Sequence, residues 1–291
     1  MKIALVQLDI VWESKKINCE RAEEFIKKAS HEKCDIAVFP EMFNTGFSMN
    51  ISAIAEDENG KTASVLSDMA KRYEINLIAG FPAKAFDGKK GKNIAVVFDR
   101  KGELIARYVK IHPFSFASED QHYAAGNDTV IFNIEGMSSG IFICYDLRFP
   151  EVFRSIAKYV QTIFVIANWP SSRKEHWETL LKARAIENQC FVIGVNRTGT
   201  DGNGIHYPGA SRVFDPSGME ICSGNDTNEF ITCMINPREV AETRVRFPFL
   251  SDMRTHDLVT QESQSPPPSS VNGGLVSQSS PLHEVVAEGQ I

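Results

Sequence analysis

The sequence predicts an α/β protein of layered sheets covered by helices, and three features of its 291 residues carry that reading. Short runs rich in Val, Ile and Phe recur along the chain, and stretches of helical period lie between them. An apolar fraction of 43% with 23% charged residues is ordinary for a molecule that buries a substantial core. Ten runs read as strands: 3–8, 36–39, 76–81, 93–99, 130–134, 139–144, 162–167, 191–196, 210–215 and 230–235, enough for two sheets.

Helices are expected over 17–30, where Ala22, Phe25, Ile26 and Ala29 share a face, and over 62–73. A third starts near Pro150, a residue suited to a first helical position, and continues through Val152, Phe153, Ile156 and Ala157. A fourth reads as a capping box, Ser172-x-x-Glu175, followed by Trp177, Leu180, Leu181 and Arg184 at helical spacing up to Asn188. Residues 1–260 are expected to form the folded domain. Residues 261–291, biased to Ser, Pro, Gln and Gly, cannot build a packed core and read as a disordered tail.

Composition excludes several classes. The net charge is −6, and no basic stripe alternates with aromatic residues, so nucleic acid is set aside. The run Lys2 to Asp9 is broken by polar residues too early for a secretory segment or a membrane span, which predicts a cytoplasmic protein. The six cysteines contain no C-x-x-C pair, and no histidine has zinc-ligand spacing, so neither a disulfide framework nor a metal site is expected.

Three segments can carry chemistry. Gly140-Ile-Phe-Ile-Cys144-Tyr-Asp-Leu-Arg-Phe-Pro150 runs from an apolar strand through a turn into a helix, which sets Cys144 on an elbow. A thiol near a helix N-terminus and a cation is expected to have a lowered pKa and to attack carbonyls. The other five cysteines read as small hydrophobes. Asp35-Ile-Ala-Val-Phe-Pro-Glu41 places a carboxylate at the carboxyl end of a strand, where α/β sheets gather their ligands. Enclosed by Phe39, Met42 and Phe43, Glu41 could take a thiol proton near neutrality. Arg107-Tyr-Val-Lys110 ends an extended segment in an ammonium that could stabilise an oxyanion and pair with Glu41.

F-P-E-M at 39–42, K-I-H-P-F at 110–114 and I-C-Y-D-L-R-F-P-E at 143–151 together resemble the nitrilase superfamily of carbon–nitrogen hydrolases, over roughly residues 1–250. The resemblance implies a four-layer α-β-β-α sandwich of two mixed sheets, homodimers that pair through helices, and no metal or organic cofactor. It also implies a triad of Glu41 as base, Lys110 as oxyanion partner and Cys144 as nucleophile, with Glu119 as a partner of Lys110 and Asp120 as its alternative. N-W-P-x-x-R at 168–173, A-R-A-I-E-N-Q at 183–189 and D-G-N-G-x-x-Y at 201–207 look most like the omega-amidase branch, which deamidates 2-oxo acid ω-amides. Pro113 departs from that branch, whose relatives more often carry Leu there, and is expected to alter the loop that holds Phe114 and Phe116.

A carboxylate-bearing amide needs a cation, and arginine binds carboxylates through two donors, so Arg173 is the candidate for that contact. Arg148 is expected to pair with an internal carboxylate and support the elbow. The N–H of Tyr145 is expected to complete the oxyanion hole. Trp169, Phe43 and Phe116 are candidate pocket walls, and His112 and His122 read as structural. Two other readings stay open: an N-carbamoyl amidohydrolase or nitrilase of the same superfamily, and a non-catalytic binding module with its tail as the ligand-bearing segment. A peroxide-sensing thiol would need a resolving cysteine near Cys144.

Overall fold

Runs of β-branched and aromatic residues that are buried on both faces form the centre of two six-stranded sheets. The computed structural model describes residues 1–85, 88–227 and 229–254, and Met1–Ser251 form one compact unit. The first sheet has the order β14 (Phe230–Met234), β1 (Lys2–Val6), β2 (Ile36–Val38), β3 (Asn76–Lys84), β4 (Gly91–Phe98), β5 (Leu104–Val109). The second has the order β13 (Glu220–Ser223), β12 (Arg212–Phe214), β9 (Phe191–Asn196), β8 (Thr162–Ala167), β7 (Met137–Ile143), β6 (Ile131–Ile134). In each sheet the three central strands, β1–β2–β3 and β7–β8–β9, run parallel and the flanking pairings are antiparallel. A separate hairpin joins β10 (Thr198–Thr200) to β11 (His206–Pro208).

Alternation along the strands sorts side chains into layers. Ile3, Leu5, Ile36, Val38 and Val97 of the first sheet share one apolar cluster with Ile141, Ile143, Phe164 and Ile193 of the second, so the sheets pack face to face. Their neighbours Ala4, Val6, Ala37, Leu77 and Val96 point the other way, against α1 (Lys15–His31) and α3 (Lys61–Arg72). On the far side, α5 (Pro150–Ile156) and α6 (Lys174–Asn188) pack Phe153, Ile156, Trp177, Leu181 and Ala185 against the outer face of the second sheet, around Gly140 and Gly194. The layers are therefore helix, sheet, sheet, helix, as expected. Two single turns, α2 (Ile51–Ile54) and α4 (Glu119–His122), and a terminal helix α7 (Arg238–Arg246) complete the elements.

Several expectations need correction. The capping box at Ser172 and Glu175 does not form: Ser171–Arg173 is a 3-10 turn, and α6 starts after Arg173 without a side-chain cap. The strands β10, β11 and β13 and the helix α7 were not anticipated, being short or rich in polar residues, whereas the extended segment expected to end at Lys110 is β5. The expected boundary at 260 and the tail 261–291 lie outside the described residues. No helix among the described residues is long and apolar enough to cross a membrane.

Candidate active site

Both sheets deliver side chains to one place, because the elbows after β2, β5, β7 and β8 open at the same end of the sandwich. Glu41 follows β2 and is fully buried. One carboxylate oxygen accepts from Lys110 Nζ at 2.9 Å and from Asn93 Nδ2 at 2.6 Å; the other accepts from the backbone N–H of Asn168 at 2.8 Å. Lys110, directly after β5 and 1% exposed, also donates to Glu119 at 2.8 Å. Glu119 begins α4, and its carboxylate further accepts from Asn93 Nδ2 at 2.9 Å and from the N–H of Phe114 at 2.6 Å. The neighbouring Asp120 is exposed, so geometry selects Glu119.

Burial alone would lower the pKa of the Lys110 ammonium, but Glu119 and then Glu41 outweigh it and hold it above the ordinary lysine value. Burial, opposed by Lys110 and reinforced by Glu41, raises the Glu119 carboxyl. Two carboxylates and one cation thus share a dry site, and each is held by more than one hydrogen bond, which is the condition for keeping charge inside a protein.

Cys144 follows β7 with φ +46°, a backbone region costly for a residue with a side chain, and opens the 3-10 turn Cys144–Arg148. Asp146 holds that elbow. Its buried carboxylate accepts from the N–H of Ile143 at 3.0 Å, from Tyr108 Oη at 2.7 Å and from the N–H of His112 at 2.9 Å, tying the Cys144 turn to residues on both sides of Lys110. The His112 ring stacks on Phe149 at 3.8 Å and meets Asp146 through Nδ1 at 2.8 Å, which accords with the structural role expected for it.

The Cys144 thiol reaches the carbonyl of Asn168 at 3.8 Å and lies within the electrostatic influence of Glu41. The expectation of a lowered pKa is overturned: burial and then Glu41 push the thiol well above the ordinary value, and Lys110 offsets this only in part. A raised pKa means that the proton stays on sulfur through neutral pH and leaves only above it. The difference spectrum between wild type and Cys144→Ala should therefore show no thiolate absorbance between about pH 6 and 8. A thiolate band at pH 7 would sink this reading.

Arg173 lies with its guanidinium 5.5 Å from the centre of the Phe114 ring; burial and the nearby Arg148 lower its pKa, while Cys144 partly offsets them. Arg148 does not pair with a carboxylate, contrary to expectation. It lies 4.9 Å over the Trp169 ring and contacts His176 Nδ1 at 3.3 Å. Neither arginine forms an ion pair among the described residues. Trp169 is 3% exposed and holds the carbonyl of Arg173 with its indole N–H at 2.7 Å, so it supports the two arginines. Tyr145 packs on Phe114 at 4.8 Å, and Phe116 is 75% exposed beside Phe114, at the rim and not in a closed wall. Phe43 is corrected to a core residue: it is fully buried between the first sheet and its helices, against Phe39.

Sequence reasoning missed Asn93, Asn168 and Phe47. Asn93 is a lone buried amide in an otherwise apolar strand, a pattern that could have flagged it. Asn168 stood inside a quoted motif without a role. Phe47 lies 5.4 Å from Lys110 Nζ, ring to cation, and nothing in its local sequence announces that.

Residues 2–245 match the carbon–nitrogen hydrolase family. The chain is 34% identical to a 2-oxoglutaramate amidase of Bacillus subtilis over 254 residues, covering 87% of this chain and 97% of that one. It is 38% identical to omega-amidase YafV of Escherichia coli K12 over 258 residues, covering 87% and 96%. Among solved structures it resembles XC1258 of Xanthomonas campestris, a CN-hydrolase superfamily protein with an arsenic adduct in its active site. The TM-score is 0.82 and the identity 33%, over 89% of this chain and 99% of that one. Saccharomyces cerevisiae Nit3, a nitrilase-superfamily member, matches with TM-score 0.78 and 27% identity over 85% and 94%. With this fold, these elbows and this extent of match, the chain belongs to the carbon–nitrogen hydrolase family within the nitrilase superfamily.

Proposed function

We propose that this protein releases ammonia from the ω-amide of a small 2-oxo acid, such as 2-oxoglutaramate or 2-oxosuccinamate, through a thioester on Cys144. The observation that carries the proposal is the convergence of Cys144 and Glu41 from the two sheets, with Glu41 held by Lys110, Asn93 and the N–H of Asn168, whose carbonyl the thiol reaches. Glu41 takes the proton as sulfur attacks the amide carbonyl. The developing oxyanion is met by the Lys110 ammonium and by the N–H of Tyr145, which lies in the first turn of a 3-10 helix and so has no intrahelical partner. Glu41 returns the proton to the departing ammonia, then activates the water that hydrolyses the thioester. Glu119 keeps Lys110 charged and placed. No step calls on a metal or an organic cofactor.

Arg173 and Arg148, two cations without carboxylate partners beside this cluster, supply the charge that a substrate carboxylate needs. The relatives named for 2-oxoglutaramate and ω-amides support that choice of substrate. The test is ammonia release from 2-oxoglutaramate, from an uncharged amide of similar length, from an N-carbamoyl amine and from a nitrile, with Cys144→Ala as blank. Turnover confined to the 2-oxo acid amide, with KM raised about 10-fold or more in Arg173→Met, is the expected result. Preference for the carbamoyl or nitrile substrate would replace this reading with another branch of the superfamily. The reading also includes a cytoplasmic homodimer, which light scattering would register as twice the 32.4 kDa chain mass.

Gly80 on β3 sets the position of the base. A Cβ there would stand 2.7 Å from Ile166 Cδ1, 3.0 Å from Glu41 Cα and 3.2 Å from Met42 N. Gly80→Ala must displace backbone at Glu41 and is expected to lower kcat about 100-fold, with overpacking costing about 1–3 kcal/mol. Unchanged kcat would show that the Glu41 elbow tolerates the shift.

A further inference from the structure

Outside the active site, two cysteines among the described residues stand side by side. Cys222 lies on β13 and Cys233 on β14, consecutive strands that belong to different sheets and form an edge of each. The registers set Cys222 opposite Val213 and Cys233 opposite Ile3, and β13 touches β14. Cys222 Sγ reaches the carbonyl of Thr232, the residue before Cys233, at 3.7 Å, which sets the two cysteines side by side across the junction of β13 and β14.

The connection between the strands is anchored at both ends. The N–H of Gly224 donates to the carbonyl of Ser211 at 2.9 Å, and the carbonyl of Glu229 accepts from the N–H of Gln7 at 2.8 Å. The thiols therefore meet on fixed backbones. Cys222 is partly exposed and Cys233 is 7% exposed, so a small oxidant reaches the first while the second waits behind it.

We propose that Cys222 and Cys233 form an oxidisable dithiol, a modification site whose disulfide staples the two sheets at their shared edge. The Cys222 thiolate attacks hydrogen peroxide, giving a sulfenic acid at Cys222 and hydroxide. The Cys233 sulfur then attacks the sulfenic sulfur and forms the S–S bond; its proton leaves with the displaced hydroxyl as water. Two thiols are oxidised, one peroxide is reduced, and two waters result.

The thiols divide these roles. Interaction with the neighbouring Cys233 holds the Cys222 pKa below the ordinary thiol value despite burial, and the same interaction, with burial, raises Cys233. Cys19, Cys34 and Cys190 have no such partner, and burial pushes them up to about 11, about 11 and about 12. The expectation that all five non-catalytic cysteines are plain hydrophobes therefore holds for these three and not for the pair.

The test treats the full chain with hydrogen peroxide, blocks remaining thiols with N-ethylmaleimide and digests without reductant using a glutamate-specific protease. Cleavage after Glu220, Glu229 and Glu239 separates the two cysteines onto peptides 221–229 and 230–239. The expected product is this peptide pair joined as the predominant form, separated by dithiothreitol and lost in both Cys222→Ser and Cys233→Ser. The oxidised wild type should also unfold several-fold more slowly in urea, a gain absent from both variants. Unlinked Cys222 carried to the sulfinic acid, two unmodified peptides, or a linked pair without slower unfolding would each overturn the proposal.

Discussion

Lys110→Met is expected to melt well below the wild type at pH 8 and to release no measurable ammonia. The substitution leaves Glu41 and Glu119, both fully buried, without the cation they share. Removing one partner from a buried charge cluster costs about 3–5 kcal/mol, on the order of 10 °C in Tm for a unit of this size. The pH dependence follows from Glu119. Its folded-state pKa is already raised, so its contribution to stability is present below the unfolded value and is lost as pH rises through the folded value. Without Lys110 that rise grows, and the Tm deficit of the variant should shrink as pH falls from 8 toward 5. A variant that melts with the wild type at pH 8 would show that the ammonium does not neutralise the site.

The second large effect falls on chemistry alone. Cys144→Ala should lower ammonia release by at least about 10³-fold, since no other group can form the acyl intermediate. Its Tm should stay within a few degrees of the wild type. Alanine carries the same backbone strain at φ +46°, and what leaves is one sulfur whose hydrogen bond is a 3.8 Å contact with the carbonyl of Asn168. Near-normal turnover in this variant would refute the proposed nucleophile outright. The two substitutions are complementary: one removes charge balance and the fold's tolerance of it, the other removes only the bond-forming atom.

The sequence disclosed the parts of this site that are set by local pattern. Glu41, Lys110 and Cys144 each follow a strand, and strand ends are readable from apolar runs that stop abruptly. Long apolar strands such as 162–167 and 191–196 match the structure residue for residue for the same reason. What was not legible depends on contacts between distant segments. Phe43 and Phe47 stand four residues apart in one loop, yet one is core and the other lies over Lys110, and only the packing of α1 and α3 against the sheet decides between them. The direction of the Cys144 shift was misread because a helix terminus and a cation are visible in sequence, while the burial of the thiol, and then the Glu41 carboxylate from the other sheet, are set only by the fold. The Ser172 capping box failed because the 3-10 turn at Ser171–Arg173 takes up that stretch, with Trp169 holding the carbonyl of Arg173.

The division of the site between sheets has a consequence for how the activity could ever be divided. Glu41, Asn93, Lys110 and Glu119 lie on or just after strands of the first sheet, in the first 119 residues, whereas Cys144, Asn168 and Arg173 follow strands of the second. Neither sheet carries both the proposed nucleophile and its proposed base. On that reading catalysis is a property of the seam, and turnover doubles as a gauge of whether the sheets are docked: fragments cut between Glu119 and β7 would each be silent, and any signal on mixing them would measure their reunion.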